Sequence, residues 1–189
     1  MSIVLSIKNM VCPRCIETVD RIFTENGFDV EAIKLGEIKV SQEPDAKQRD
    51  KLSEQLHKNG FELLTDRKSR ITGQIKSEII RLVHHSHEQL LQVNLSEHLS
   101  DLIGADYTTI SHLFSSEEGI TIEKFTILQK IERVKELLSY DELTISEIAF
   151  KLGYSSGAHL SSQFKKTTGM SPVQYKNMND KERNSLDEI

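Results

Sequence analysis

The segment at residues 145–166 decides the fold of the C-terminal half, because two short helix patterns meet in it at a turn. It reads ISEIAFKLGYSSGAHLSSQFKK. Apolar residues recur on both sides of the turn at the spacing of one helix face. These inward positions are Ile145, Ile148, Ala149, Leu152, Leu160 and Phe164. With Ser146 as the expected N-cap and GYSS (153–156) as the turn, the segment predicts a helix-turn-helix unit.

A looser copy of this pattern lies about 50 residues upstream. Asn94 or Ser96 is expected to cap its first helix, GAD (104–106) makes the turn, and Asp106 is expected to cap the second helix. The expected inward residues are Leu95, Leu99, Leu102, Ile103, Ile110, Leu113 and Phe114. One such helix pair is weak evidence of function, since many helical domains contain one, but two in tandem are much more specific.

The spacer between the two units is the third part of the pattern. Residues 121–140 read TIEKFTILQKIERVKELLSY and have the periodicity of one amphipathic helix. The expected inward residues are Phe125, Leu128, Ile131, Val134 and Leu138. About 18 helical residues span roughly 27 Å, which is close to the ~34 Å between successive major-groove faces on one side of B-DNA.

Residues 94–177 resemble the AraC/XylS-type DNA-binding domain. The residues that carry the resemblance are Leu113-Phe114 with Gly119, Ile131-Glu132-Arg133 with Leu137-Leu138, Ile145-Ser146-Glu147-Ile148-Ala149, Leu152-Gly153-Tyr154-Ser155-Ser156, Leu160 with Phe164-Lys165-Lys166, and Gly169-Met170-Ser171-Pro172 with Tyr175. The resemblance implies a bipartite helical domain, sequence-specific binding of double-stranded DNA and control of transcription.

By position in that resemblance, candidate DNA-binding residues lie in the second helix of each unit. They are Thr108, Ser111 and His112 in the first unit and Gly157, Ala158, Ser161, Ser162, Lys165 and Lys166 in the second. These positions lack arginine, the commonest partner of guanine. Residues 96–178 hold eight lysines and arginines against eleven aspartates and glutamates, a net charge of −3. We therefore expect weak, salt-sensitive binding per monomer.

The N-terminal part, residues 3–64, mixes strand and helix patterns. IVLSIK (3–8), the pair of segments around Gly36, and FELL (61–64) have strand character, and amphipathic helices are expected from Cys15 to Asn26 and from about Asp45 to Asn59. The order β-α-β-β-α-β is that of a ferredoxin-like domain. The predicted fold class is therefore α+β, with this domain preceding an all-α domain that contains two helix-turn-helix units.

Cys12 and Cys15 form a C-x-x-C between the first strand and the first helix. Thiolates at this spacing bind soft ions such as Cu(I) or Zn. Met10 before the cysteines, the element order and Gly60-Phe61 resemble a heavy-metal-associated domain, which implies a metal site at this pair. Two alternatives stay open. The Cys-Pro-x-Cys also resembles a glutaredoxin, which implies thiol redox chemistry, and the pair can be vestigial in a structural domain.

Residues 71–91 are expected to form one amphipathic connecting helix, whose apolar stripe packs on the helical domain or pairs in a homodimer. His84 and His87 share a face of this helix, with His85 beside them, so they are either a metal site or solvated polar residues. The predicted division is residues 1–66, 67–93, 94–178 and a polar tail at 179–189.

The 189-residue chain is 37% hydrophobic and 28% charged, with a net charge of −5, as in ordinary globular proteins. No apolar run has the length of a transmembrane helix and the N-terminus lacks a signal-peptide pattern, so a cytoplasmic protein without a membrane partner is expected. No catalytic constellation is evident, which predicts that the chain is not an enzyme. The alternative function is a metal-binding or thiol-redox protein whose helical half only docks partners.

Overall fold

The computed structural model describes residues 2–86, 94–178, 183–187 and 189. The chain divides into two compact units, Met1–Arg81 and Leu82–Ile189. The first unit contains a small antiparallel sheet, and the described part of the second is helical. This confirms the mixed α+β class that the sequence predicts. Among the described residues, none forms a helix with both the length and the apolar run needed to cross a bilayer.

The elements of the first unit follow the predicted order. They are β1 (Ile3–Lys8), α1 (Pro13–Glu25), β2 (Val30–Lys34), β3 (Glu37–Val40), α2 (Ala46–Lys58), β4 (Glu62–Leu64) and α3 (Arg67–Ile80). Helix α2 begins where the sequence suggested, because Asp45 accepts a hydrogen bond from the Gln48 backbone N–H and the Gln48 side chain bonds back to Asp45. Helix α1 begins at Pro13, earlier than predicted, because proline suits the first helical turn.

The four strands form one antiparallel sheet in the order β2-β3-β1-β4. Leu5 of β1 pairs with Ile38 of β3, and Ile7 pairs with Leu63 of β4. These residues point to the face that α1 and α2 cover. The core on this side is Leu5, Ile7, Met10, Val19, Ile22, Phe23, Phe28, Ile38, Val40, Leu52, Leu56, Phe61 and Leu63.

Helix α3 belongs to the first unit, where it packs on the sheet. A Cβ added to Gly36 would collide with the Ser77 side chain of α3, and a Cβ on Gly73 of α3 would lie 2.8 Å from Leu64. Small residues therefore let the helix approach the sheet closely. The sequence analysis expected the stripe of residues 71–91 to face the helical domain or a second copy. Instead, part of it is covered by the sheet of its own unit.

Helix α3 also begins four residues before the predicted start of the connecting helix. Asp66 accepts a hydrogen bond from the Ser69 backbone N–H and caps the helix, so residues 67–70 form its first turn. After Ile80 the chain continues as a π-helix over Arg81–His85. The rest of the predicted 71–91 helix, and His87 with it, lies outside the described residues beyond Ser86.

The second unit contains helices separated by short turns. They are α4 (Leu95–Ile103), α5 (Tyr107–Glu118), α6 (Ile122–Tyr140), α7 (Ile145–Lys151), α8 (Gly157–Thr168) and α9 (Pro172–Lys176). The expected inward residues Leu99, Ile110, Phe114, Leu160 and Phe164 are buried.

Two details of the prediction for this unit are wrong. Leu102, expected inward, is 41% exposed, whereas Leu99 is the residue of α4 that is fully buried. Ser146 is not the cap of α7, since Thr144 accepts the hydrogen bond from the Glu147 backbone N–H and the Glu147 side chain bonds back to Thr144. This reciprocal capping box places the N-cap two residues before Ser146, and the helix begins at Ile145.

His84 is buried, in contrast to the solvated cluster considered from the sequence. Its Nε2 lies 3.0 Å from Oε1 of Gln129, a fully buried residue of α6. The Gln129 amide nitrogen donates to the Leu186 carbonyl, so its oxygen is left to accept from the imidazole. Burial lowers the pKa of His84 to about 4, which keeps the ring neutral at physiological pH.

Candidate DNA-binding interface

The first helix-turn-helix is formed by α4 and α5. Gly104 ends α4 in the left-handed conformation, at φ 70°, where glycine has no Cβ to strain. Asp106 then accepts a hydrogen bond from the Thr109 backbone N–H and starts α5, as predicted. Gly119 ends α5 with the same left-handed cap. Local capping therefore sets both ends of the candidate recognition helix.

The second helix-turn-helix is formed by α7 and α8. Ser156 accepts a hydrogen bond from the His159 backbone N–H and caps α8. Gly157 begins α8 beside α7, since an added Cβ would lie 3.3 Å from Ser146 Oγ. This position is therefore half-buried between the two helices rather than fully presented to solvent.

The two units repeat with an offset of 50 residues. Phe114 of α5 and Phe164 of α8 are both fully buried. The Phe114 ring lies 5.7 Å from Phe125 in the next helix, and the Phe164 ring lies 5.7 Å from Tyr175 in the next helix. The same packing therefore holds each recognition helix against the helix that follows it.

Helix α6 connects the two units. Its 19 residues run from Ile122 to Tyr140. At ~1.5 Å per residue this helix is about 28 Å long, in agreement with the prediction for the spacer. Its N-terminal end packs on α5 through Phe125, and its C-terminal half joins the core of the second unit through Ile131, Val134 and Leu138.

The predicted DNA-binding residues fall into two groups by exposure. Those whose side chains are exposed opposite the buried face of their helix are Thr108, His112, Ala158, Ser162, Lys165 and Lys166. Ser111, Gly157 and Ser161 are half-buried. The Ser161 hydroxyl donates to the Gly157 carbonyl within α8, which turns it along the helix. The first group therefore forms the outward face of the two recognition helices.

Three further residues lie on these outward faces and were not named from the sequence. They are Thr109, Ser116 and His159, all exposed. His159 stands out because Ser155 Oγ lies 3.0 Å from its Nδ1. The signal that could have identified it is its spacing of three from Ser162 along α8, which places both on neighbouring parts of one face.

The two recognition helices differ in charge. The first begins at the carboxylate of Asp106, whose pKa is lowered by hydrogen bonds from the Thr109 side chain and backbone, so it stays ionised. It ends with Glu117 and Glu118. The second begins at the neutral Ser156 and carries Lys165 and Lys166. The second helix is therefore the better electrostatic match to DNA phosphates.

The C-x-x-C pair is held together at the N-terminus of α1. Cys12 is the N-cap residue, and its Sγ lies 3.1 Å from Cys15 Sγ. Both thiols are free and half-buried. Burial and the neighbouring thiol raise the pKa of Cys15. Within the described parts of the chain, three or more His, Cys, Asp or Glu residues nowhere converge as metal ligands would.

Comparison with known proteins places the second half of the chain. A family model described as a helix-turn-helix domain matches residues 99–178. An HTH-type transcriptional regulator from Staphylococcus aureus is 36% identical over 92 residues, which are 49% of this chain and 12% of that protein. The melibiose operon regulatory protein from Escherichia coli is 27% identical over 111 residues, 58% of this chain and 35% of that protein. The chain thus spans only a small part of these curated relatives.

A solved structure covers the same half. The C-terminal domain of AraT, a response regulator from Geobacillus stearothermophilus, is 30% identical, with a TM-score of 0.50, over 59% of this chain and 87% of that chain. These relatives are regulators by name and not enzymes, in agreement with the prediction that the chain is not an enzyme. From residue 99 to residue 178 the chain is a helix-turn-helix DNA-binding domain of the AraC type, and through this half it belongs to that family.

Proposed function

We propose that this chain is a sequence-specific transcription regulator, which binds double-stranded DNA through α5 and α8. The observation that carries the proposal is the repeated packing of Phe114 on Phe125 and of Phe164 on Tyr175, at the same distance. It shows that two recognition helices are built alike on either side of one spacer. Two similar helices match a DNA duplex, because the major groove recurs at each helical turn on one side of the duplex.

The length of α6 supports binding to adjacent turns of one duplex. At about 28 Å it approaches the ~34 Å repeat of the major groove. Exposed side chains on α5 and α8 would then contact base edges, and Lys165 and Lys166 would contact phosphates. The small residues Ala158 and Ser162 favour apolar contacts with thymine methyl groups and single hydrogen bonds over bidentate readout.

The test is selection from a pool of random duplexes with the full chain, at low salt. We expect enrichment of a bipartite site that spans about two helical turns, or of a doubled site for a dimer. His112→Ala and Ser162→Ala should each relax the preference at separate positions of that site. Their matched control is Lys47→Ala, on the exposed side of α2 in the first unit. Failure to enrich any sequence would contradict the proposal.

A homodimer would compensate for the acidic balance of the DNA-binding half. The apolar stripe of residues 71–91 is one candidate for this contact. Ile75 and Ile79 are already buried, so a dimer through this segment has to use its other side chains. Light scattering at micromolar concentration measures the mass directly, and a monomer in the presence and absence of the selected duplex would exclude the dimer.

For the first unit we propose a ferredoxin-like, heavy-metal-associated domain that holds a thiophilic ion at Cys12 and Cys15. The β-α-β-β-α-β order, the sheet order and the adjacent thiols support this. Zinc sites in proteins are four-coordinate, and two thiols supply only half of that set. The pair therefore suits Cu(I) better than Zn. The bound ion would change the charge of the first unit and so bias DNA binding. Free thiols accord with a cytoplasmic location.

Metal analysis under reducing conditions tests this part separately. We expect one Cu(I) per chain, lost in the Cys12→Ser/Cys15→Ser variant, with little retention of Zn. Equal metal content in the unsubstituted chain and in the double variant would show that Cys12 and Cys15 do not hold the ion. That result would not affect the DNA-binding proposal.

A further inference from the structure

We propose that His159 is a phosphate-contacting residue of the second helix-turn-helix, with its imidazole aimed at the duplex by Ser155 and Tyr154. The inference rests on the proposed DNA-binding function and adds to it a residue, a contact chemistry and a positioning device. The sequence analysis did not include His159 among the DNA-binding candidates.

Two contacts restrain the imidazole. Ser155 Oγ lies 3.0 Å from Nδ1 of His159. The ring also meets the Tyr154 ring edge-on, with centroids 5.4 Å apart and an interplanar angle of 89°. Tyr154 is itself held, since it is buried and Lys130 Nζ of α6 lies 5.3 Å from its ring centre. The imidazole is exposed, but the contact at Nδ1 and the contact with the Tyr154 ring together restrict its rotation.

The restraint leaves Nε2 as the free edge of the ring. When the Ser155 hydroxyl donates to Nδ1, the neutral imidazole carries its proton on Nε2. Nε2–H is then a donor that points away from the Ser155 contact. Every partner the DNA backbone offers is an acceptor, so a duplex selects this tautomer.

The position of His159 on α8 indicates phosphate rather than base. Ala158 and Ser162 lie nearest the centre of the outward face, opposite Leu160 and Phe164. His159 lies to one side of them, next to the turn between α7 and α8. In helix-turn-helix complexes the first helix crosses the DNA backbone while the N-terminal residues of the second helix contact base edges. Among the N-terminal residues of α8, His159 is the one in contact with the turn that follows the first helix, which places it on the backbone side of that group. His159 is also the third residue of a 12-residue helix, where the helix dipole favours an anion.

The equivalent place in the first unit lacks these features. Fifty residues earlier, Thr109 donates its hydroxyl to the Asp106 carboxylate, at 2.6 Å from Oγ1 to Oδ2. An ionised carboxylate at that point repels a phosphate. The positioned donor is therefore specific to the second unit, on the same helix as Lys165 and Lys166.

The experiment measures the dissociation constants of full-chain variants on two duplexes, the selected site and a scrambled duplex of the same composition. His159→Ala should weaken binding about tenfold on both, because a hydrogen bond to a charged group is lost and phosphates are present in any sequence. His159→Gln keeps an N–H donor and should recover most of the affinity. Ser155→Ala should cause a smaller, about threefold, loss. His57→Ala removes an exposed histidine of α2 and should have no effect.

The outcomes separate this inference from the function on which it rests. Unchanged affinity of His159→Ala on both duplexes overturns the phosphate contact alone, as does a loss confined to the selected site, which indicates a base contact. No binding of any duplex by the unsubstituted chain overturns the DNA-binding proposal itself. Urea unfolding midpoints of the variants should match that of the unsubstituted chain, since the His159 ring is exposed.

Discussion

Asp106 and Ser156 occupy the same N-cap position of the two recognition helices, 50 residues apart, and each accepts a hydrogen bond from the third residue of its helix. The two caps make the same hydrogen bond but differ in charge, and we expect this difference to affect DNA binding. Asp106 adds a full negative charge where a phosphate would approach, whereas Ser156 adds none. Exchanging the two cap residues between the units therefore changes the charge while it keeps the capping hydrogen bond.

We expect Asp106→Ser to bind the selected duplex about fivefold more tightly, because the carboxylate no longer repels the DNA phosphates. Serine and aspartate are similar caps, so the free energy of unfolding should change little. Fluorescence anisotropy and urea titration measure the two effects. Ser156→Asp is the reciprocal variant and should weaken binding. An unchanged affinity in both variants would place these caps away from the DNA.

Lys165 and Lys166 should account for part of the salt dependence of binding. Each phosphate contact by a lysine changes the slope of log K against log salt by about 0.9. The Lys165→Ala/Lys166→Ala variant should therefore reduce the slope by about 2 on selected and scrambled duplexes alike. Lys47→Ala, exposed on α2, is the control. A slope in the double variant equal to that of the unsubstituted chain would show that neither lysine contacts a phosphate.

His84 should make the second unit acid-sensitive. Its pKa is lowered by burial to about 4, while an unfolded chain binds the same proton near pH 6.5. Between these values the unfolded state binds more protons, so stability is complete above pH 6.5 and falls as the pH drops towards 4, by up to about 3 kcal/mol.

Urea titrations of the full chain at pH 7, 6, 5 and 4.5 measure this loss. His84→Gln cannot titrate, so its stability should fall less over the same range, with the remaining fall due to carboxylates. Parallel pH profiles for the two proteins would show that the imidazole titrates normally in the folded state.

Glu132 forms a buried ion pair that also holds the C-terminal segment. Its carboxylate lies 2.7 Å from Lys135 Nζ and accepts hydrogen bonds from the backbone and side chain of Asn184, 52 residues away. Glu132→Gln leaves Lys135 buried without its counter-charge and should lower the free energy of unfolding by about 3 kcal/mol.

The matched control for that ion pair is Glu54→Gln. Glu54 pairs with Lys58 at 2.7 Å on the exposed side of α2, where solvent screens the pair and its contribution to stability is small. Chemical denaturation monitored by circular dichroism measures both variants. A loss from Glu132→Gln no larger than that from Glu54→Gln would show that solvent screens the inner pair.

Gly36 should be the most sensitive glycine of the first unit. Gly36 and Gly27 both have φ near +80°, so alanine is strained by about 1 kcal/mol at each. At Gly36 the added Cβ would also collide with Ser77, whereas at Gly27 it meets nothing within 4 Å. We expect Gly36→Ala to destabilise by at least ~2 kcal/mol and to expose α3 to limited proteolysis. Equal losses at the two sites would mean that α3 does not depend on this contact.

Local features of the fold were predicted well from the sequence. The strand segments, the start of a helix near Asp45, the turn at Gly104 and the cap at Asp106 all follow from preferences that act over a few residues. The cap of α7 was misassigned to Ser146, because Thr144 competes two residues earlier and has a glutamate at the right distance to complete the capping box.

The candidate DNA-binding residues were named by their position in the family resemblance, and most of them have exposed side chains on α5 and α8. His159 was missed, since its importance depends on Ser155 and Tyr154 in the preceding turn and on Lys130 in another helix. Contacts between side chains of different helices and turns produce no periodic pattern in the sequence.

The sequence by itself determined which segments become helices or strands, where two similar helix pairs recur, and that two thiols stand side by side. Those properties depend on periodicity, capping and spacing, which act between near neighbours in the chain. Only the tertiary structure decided that α3 packs on the sheet, that His84 is buried against Gln129 and that Asn184 binds Glu132. These partners are separated by tens of residues, and their contacts form because close packing of a whole unit selects them.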